Sequence, residues 1–305
     1  MRQGNLAFKL KKLAADISKF KFFVLETARS VLSPGPEFKI LFSSDMTREK
    51  HIRFGFRSLR HKINFNDFTP ENIQKNDLIL PLHIEDLREL KRYPHLTENK
   101  LIPIPSLEAI NICDDKYLFI QTLIENGFND LLPKTGSNLA VPFMLKKKVS
   151  SAGNSCYSVS TLKQKQEYQE LIDDPDYFCQ EIIPGANEYA THIIFKDKKI
   201  VTSLTIKYTF SNELPINGKE KVVYSRIDKC DYLDTFSAVL DSIGFEGLCC
   251  FDYKVINNKP KLFEINPRFG GSLSAYFFTF LKRLSSEKVI SLPSQAQGIQ
   301  VGKAG

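Results

Sequence analysis

Near its C-terminal end the 305-residue chain reads KLFEINPRFGGS (261–272), with a carboxylate, an amide and a guanidinium at every second position: Glu264, Asn266 and Arg268. Alternate residues of a strand share a face, so these side chains stand in one row that ends at Gly270-Gly271. The preceding strand, LCCFDYKVI (248–256), carries Asp252, and the two strands read as a hairpin. A three-residue turn at 257–259 pairs Ile256 with Pro260 and sets Asp252 opposite Glu264. Two carboxylates and an amide oxygen aimed at one point suit a hard divalent cation such as Mg2+, completed by waters and phosphate oxygens. Arg268 extends the row as a partner for an anion. The glycine pair lets backbone N–H groups approach a reacting oxygen closely. Taken alone, a strand face of Asp, Glu and Asn serves equally well as a solvated surface with the arginine as its partner. Asp252 in matching register is what favours a site.

The elements that must position this row alternate along the chain. FKILFS, KINF and DLILPL, a helix near 84–92 and KLIPIP (100–105) read as a small parallel α/β domain over 37–105, without a GxGxxG turn. Ser106 caps a helix, and DDKYLFIQTLIENG forms a second that ends at Asn126-Gly127. VPFMLKK (141–147) is a strand, SSAGNS (150–155) a small polar loop, and YSV resumes extended structure. DYFCQEIIPG (176–185) is a strand and a turn, and residues 188–210 form a hairpin turning at 196–198. DYLDTFSAVLDSIG is a helix ahead of the 248–266 hairpin, and residues 273–284 form another. Residues 285–305 read as a loose tail. At the other end, Leu6, Leu10, Leu13, Ile17, Phe20, Val24, Ala28 and Val31 recur at helical spacing among lysines 9, 11, 12, 19 and 21, giving an amphipathic helix over 5–32 that SPGP stops. That helix either packs on its own domain or docks on a membrane surface or a partner.

Composition narrows the class. Apolar content of 42% and charged content of 25% are those of an ordinary globular chain. The apolar runs are too short to span a bilayer, and lysines interrupt the N-terminal one, against a secretory leader. Six cysteines without CxxC or Cys/His spacing read as reduced thiols in a cytoplasmic protein. Residues 1–100 hold 19 Lys and Arg against 12 Asp and Glu, while the remainder is balanced. The basic excess therefore lies away from the motif, and no nucleic-acid partner is expected. RFGFRSLRHK (53–62) weakly favours an anionic substrate. The five histidines are scattered, so no Ser/His/Asp or Cys/His constellation competes with the hairpin. Oligomeric state is not legible.

FDYKV followed by FEINPRFGGS resembles the closing motif of the ATP-grasp superfamily, especially carbamoyl-phosphate-synthase-like carboxylate–amine ligases. DDKYLFIQTLIENGFNDLLPKT (114–135) is similar to that family's opening Asp-Lys helix and Pro-x-Thr segment. VPFMLKKKVSSAGNSCYSV resembles its strand, lysine and phosphate loop, and YFCQEIIPGANEY its adenine hinge. Two departures stand out: Lys147 occupies a position that is usually proline, and Gly153 is the loop's only glycine.

The resemblance covers 100–284 and implies a two-lobed α+β domain over 106–284, lobes about 113–185 and 186–284, following the α/β domain. It implies Lys116 and Lys146 on ATP phosphates, Gln180, Glu181 and Ile183 around adenine, and Glu188 on the ribose. Asp252, Glu264 and Asn266 would hold Mg2+, with Mn2+ as the alternative. Arg268 and Lys207 would serve the transferring group. The implied activity joins a small-molecule carboxylate to an amine through an acyl phosphate. The alternatives are a non-catalytic Mg-ATP-binding module and a kinase that stops at the phosphorylated substrate.

Overall fold

KILF (Lys39–Phe42, β1) buries three of its four residues and forms the centre of a three-stranded parallel sheet. The computed structural model describes residues 37–55, 61–150, 155–216 and 218–288, together with residues 13, 17, 20, 21, 24, 25 and 28. Helix α1 (Met46–Gly55) crosses from β1 to β2 (Lys62–Phe65), and α2 (Pro70–Lys75) crosses to β3 (Leu78–Leu80). The strand order is β2-β1-β3. Thr69 accepts from the N–H of Asn72 and Pro70 opens the first turn, so α2 starts where its sequence dictates. Helices α3 (Ile84–Leu90) and α4 (Pro94–Thr97) follow.

Residues 100–105, expected as a strand, are irregular instead. Pro103 and Pro105 have no N–H to give a ladder. They lie against Gly247 at φ 125°, where an added Cβ would meet the Pro103 carbonyl at 2.7 Å. Only glycine fits that contact.

Ser106 accepts from the N–H of Ala109 and opens α5 (Leu107–Asp114). Asp115 accepts from the N–H groups of Tyr117 and Leu118, opening α6 (Lys116–Glu125). A small antiparallel sheet follows, in the order β5-β4-β6, built from β4 (Phe143–Lys147), β5 (Cys156–Val159) and β6 (Tyr177–Glu181). Two short helices, α7 (Leu162–Glu167) and α8 (Gln169–Asp173), lie between β5 and β6. The main sheet has the order β11-β10-β7-β8-β9: β7 (Asn187–Lys196), β8 (Lys199–Thr209), β9 (Tyr224–Asp228), β10 (Gly247–Ile256) and β11 (Lys259–Asn266). Helix α9 (Leu233–Ser242) precedes β10, and α10 (Phe277–Lys288) follows β11. The last helix begins four residues later than its sequence suggests, after a 3-10 turn at Gly271–Leu273, and runs beyond residue 284.

Each face of the main sheet has its own cover. Phe119, Ile120, Phe236 and Val239, from α6 and α9, pack on Phe251 and Ile265. The opposite face is divided. One half, at Ile194, Leu204, Ile206 and Leu248, shares a core with Ile40 and Phe42 of the parallel sheet and with Phe277 and Phe280 of α10. The other half is open and faces the small sheet, which keeps a separate core of Phe143, Leu145, Val159 and Cys179. All six cysteines are free.

Among the described residues no helix is long and apolar enough to cross a membrane. Of the amphipathic helix expected over 5–32, residues 13, 17, 20, 21, 24, 25 and 28 are helical and exposed. The rest of that helix, the loop positions 151–154 and the tail after 288 lie outside the described residues.

Candidate active site

A cavity of about 460 Å³ separates the small sheet from the open half of the main sheet. That volume is in the range of small-molecule sites. Strand parity decides which side chains line it. Met144 and Lys146 face it from β4, while Phe143 and Leu145 turn into the small core. Glu188, Ala190, Asp252 and Lys254 face it from the main sheet.

The row of Asp252, Glu264 and Asn266 is formed by β10 and β11. Asp252 pairs with Glu264, as the sequence suggests, but by a different route. The turn has two residues, Asn257 and Asn258, both in the left-handed region at φ 50° and 59°, so Ile256 pairs with Lys259. This is the geometry favoured in two-residue hairpins. A bulge at Phe263 then restores the pairing at Asp252, and both Phe263 and Glu264 line the cavity.

Asn266 Nδ2 donates to Asp252 Oδ2 and to Glu264 Oε1, each at 3.1 Å. Its oxygen faces Arg268 Nη2 at 3.4 Å. Half a turn of the amide would exchange the two atoms and present the oxygen to the carboxylate pair. Lys116 Nζ lies 3.2 Å from Glu264 Oε2 and donates to the Ser150 carbonyl at 2.5 Å.

The two carboxylates differ in their surroundings. Burial, followed by the charges of Glu264 and Glu188, pushes Asp252 well above the usual carboxylate range. Burial also acts on Glu264, but Lys116 and Lys146 outweigh it and hold this group low. Among the described residues no three His, Cys, Asp or Glu side chains converge on one point. The donor set is two carboxylates and an amide, which fits a hard divalent cation that also takes oxygens from a ligand.

Towards the small sheet, Gln180 is 1% exposed and its Nε2 has no partner, leaving a buried donor turned towards the cavity. The N–H of Glu181 donates to the Lys134 carbonyl, and its side chain accepts from the Lys134 N–H at 3.0 Å. The Ile183 carbonyl accepts from Lys254 Nζ at 2.9 Å, so that acceptor is already engaged. Glu188 is buried. Lys146 Nζ sits 5.1 Å over the Phe263 ring. Lys147, where proline was expected, uses its N–H to donate to the Ser155 carbonyl at 3.0 Å and extends the small sheet, which proline could not do.

Beyond the row, an added Cβ at Gly270 would meet His192 Cε1 at 2.7 Å, so the closing turn requires glycine there. Burial pushes His192 down to about 3 and keeps it neutral, with Nε2 2.8 Å from Ser272 Oγ.

Ten of the eleven sequence-derived site residues therefore line one cavity: Lys116, Lys146, Gln180, Glu181, Ile183, Glu188, Asp252, Glu264, Asn266 and Arg268. Lys207, expected to serve the transferring group, is the exception and does not reach the cavity. Its register with Tyr189, and that of Tyr189 with Tyr253, puts it on the far face from Asp252, and its Nζ lies 5.3 Å over the Tyr189 ring. Its neighbour Tyr208 faces the cavity instead. Strand parity was the signal that could have separated them. Sequence reasoning also missed Lys254, whose place two residues after Asp252 on one strand face was legible. It missed Phe263, which the bulge conceals, and Arg48, which comes from another part of the chain.

Comparison with known proteins places the fold. In structure the chain is similar to D-alanine–D-alanine ligase from Bacillus anthracis, at 13% identity and a TM-score of 0.56, covering 83% of this chain and 94% of that one. It is similar to L-amino acid ligase from Bacillus licheniformis, at 12% identity and 0.55, covering 85% and 75%. N5-carboxyaminoimidazole synthetase from Staphylococcus aureus, complexed with ADP, matches at 15% identity and 0.53, covering 85% and 80%. At such identities the likeness concerns the fold. A search of curated protein sequences gives no match. A family model for the ATP-grasp domain matches residues 113–272, more than half of the chain and nearly all of the cavity wall. The chain belongs to the ATP-grasp family.

Proposed function

We propose that the protein is an ATP-dependent carboxylate–amine ligase that forms an amide through an acyl phosphate, with ADP and phosphate as products. The observation that carries this reading is the convergence of Asp252, Glu264 and Asn266 with Lys116 and Lys146 in a cavity that also holds an unpartnered Gln180 Nε2. A buried donor without a partner costs about 1–3 kcal/mol, which a purine ring would relieve.

In this reading Gln180 and the backbone at Ile183 hold the adenine, and Glu188 holds the ribose. Lys116 and Lys146 take the phosphates. Asp252, Glu264 and Asn266 hold Mg2+, or Mn2+ in its place, which when bound offsets phosphate charge. A substrate carboxylate oxygen attacks the γ-phosphorus as the bond to ADP breaks. The amine then attacks the acyl carbon, the bond to phosphate breaks, and the departing phosphate carries away the proton that the amine loses. Positioning and charge compensation dominate such chemistry. Arg268 and the N–H groups of the glycine turn face the oxyanion, where losing one donor costs about 3 kcal/mol of barrier.

A thermal-shift titration with ATP, with and without Mg2+, tests the site. At about 100 times its dissociation constant a ligand adds roughly 2.7 kcal/mol of stability. The wild type is expected to show a magnesium-dependent shift that Glu264→Gln loses. ADP release that needs both an acid and an amine then identifies the ligase, and release with the acid alone would identify a kinase. No shift in the wild type overturns the reading.

A further inference from the structure

Arg48, on α1 of the parallel sheet's domain, reaches the same cavity. Its Nη1 donates to the Leu82 carbonyl, and its Nε lies 3.4 Å from Asp45 Oδ2. Asp45 is shared: it also accepts from the N–H groups of Thr47 and Arg48, each at 2.9 Å, and lies 3.1 Å from His83 Nε2. Asp86 is occupied by the Ser43 hydroxyl and by the N–H groups of Leu82 and His83. The loops after β1 and β3 are thus tied together at the point where the order β2-β1-β3 reverses direction. In open parallel sheets that crevice, beyond the carboxyl ends of the strands, is where ligands bind.

The motif loop is docked on the same crevice. The Phe269 N–H donates to the Pro81 carbonyl at 3.2 Å, one residue from the carbonyl that Arg48 holds. Arg48 and Arg268 therefore come to one end of the cavity. Arg268 makes no ion pair among the described residues, and both carboxylates at the crevice have other donors. Burial, and after it the charge of Arg268, holds the Arg48 guanidinium below its usual range. Among the described residues the two guanidiniums have one carboxylate contact between them, Arg48 with Asp45 at 3.4 Å, and an anion would offset the remaining charge.

We propose that this crevice binds a second anionic group of the substrates, a carboxylate or phosphate distinct from the carboxylate that is activated, with Arg48 as its specificity-determining anchor. The inference rests on the ligase reading of the cavity. The anion has two sources, a second acidic group on the acid or an acidic group on the amine. Arg48 discriminates, because an uncharged analogue leaves the mutual repulsion of Arg48 and Arg268 offset only by the shared Asp45 carboxylate.

Calorimetric titration of the full chain with Mg2+ and a non-hydrolysable ATP analogue present tests this. The probes are succinate against butyrate, glycine against methylamine, and inorganic phosphate against none. In the wild type the more acidic member of at least one pair is expected to bind at least ten-fold more tightly, and the pair that responds identifies the source. Arg48→Met should reduce that ratio towards one, and Arg48→Lys should keep part of it. Equal binding within every pair, or a preference that survives Arg48→Met, overturns the inference while the nucleotide isotherm stands. Absence of that isotherm in the wild type overturns the ligase reading instead. If Arg48→Met does not fold, the wild-type ratios and Arg48→Lys decide.

Discussion

Asp252 stands among the charges of Glu264 and Glu188, with Arg268 as the cation acting on it, whereas Glu264 has Lys116 at 3.2 Å and Lys146 nearby. The two carboxylates therefore respond to pH with opposite signs. Asp252 holds its proton more tightly in the folded protein than its unfolded value of 3.8. Its contribution is complete below that value and is lost as pH rises through the folded one. Glu264 is depressed from 4.5, so its contribution is present above that value and is lost as pH falls. In the proposed reading a divalent cation would bind the ionised pair and remove the Asp252 penalty. Thermal denaturation in EDTA across the weakly acid to neutral range should therefore show Asp252→Asn gaining on the wild type as pH rises. Added Mg2+ should stabilise the wild type increasingly with pH and leave the variant nearly unmoved. A constant gap between the two proteins would show that Asp252 is not held in the way described.

At the scale of elements, the β10–β11 hairpin shows what the sequence could and could not convey. The facing of Asp252 and Glu264 was legible because two strands joined by the unmistakable turn residues Asn257-Asn258 must form a hairpin. The turn length was not legible, since a two-residue turn with a bulge and a three-residue turn without one give the same pairing at Asp252. The 100–105 segment was read as a strand because it is a short apolar run in an alternating series of strands and helices, and its two prolines exclude it from a ladder. Helices α7 and α8 went unread because the LKQKQE and QELID segments bury no residue fully and carry little periodic signal. Lys207 was misassigned for want of a parity check. Ten of the expected residues still line one cavity, because the motifs that carry them lie on elements that the fold brings to the same crevice. The turn itself carries a prediction. Asn258 sits at φ 59°, which glycine adopts freely and a β-branched residue does not. Urea denaturation should find Asn258→Gly at least as stable as the wild type and Asn258→Val weaker by about 1–2 kcal/mol. If the valine variant matches the wild type, the two-residue turn is wrong.

For the whole molecule, the partition of the core decides which parts melt together. The parallel sheet reads as a separate unit in the sequence, yet it has little covering of its own on one face. Phe42 stacks on Phe65 with centroids 5.0 Å apart and meets Phe269 and Phe277 edge-on at 5.2 and 5.7 Å. Phe269 follows the arginine of the motif, and Phe277 opens α10. The same cluster contains Ile194, Leu204 and Ile206 of the main sheet, so one core joins the N-terminal sheet, the last helix and the back of the candidate site. The small sheet, with four fully buried residues of its own, stands apart from that core across the cavity. Removing a buried phenylalanine costs about 3–5 kcal/mol. Phe42→Ala should therefore lower one cooperative transition of the N-terminal sheet and main sheet together by that amount. The closing loop loses its packing partner in the same step, so the magnesium-dependent nucleotide shift should weaken as well. Calorimetry of the free and nucleotide-bound variant reads both effects. A separate early transition with the nucleotide shift fully retained would mean that the parallel sheet folds and melts on its own, against the shared core.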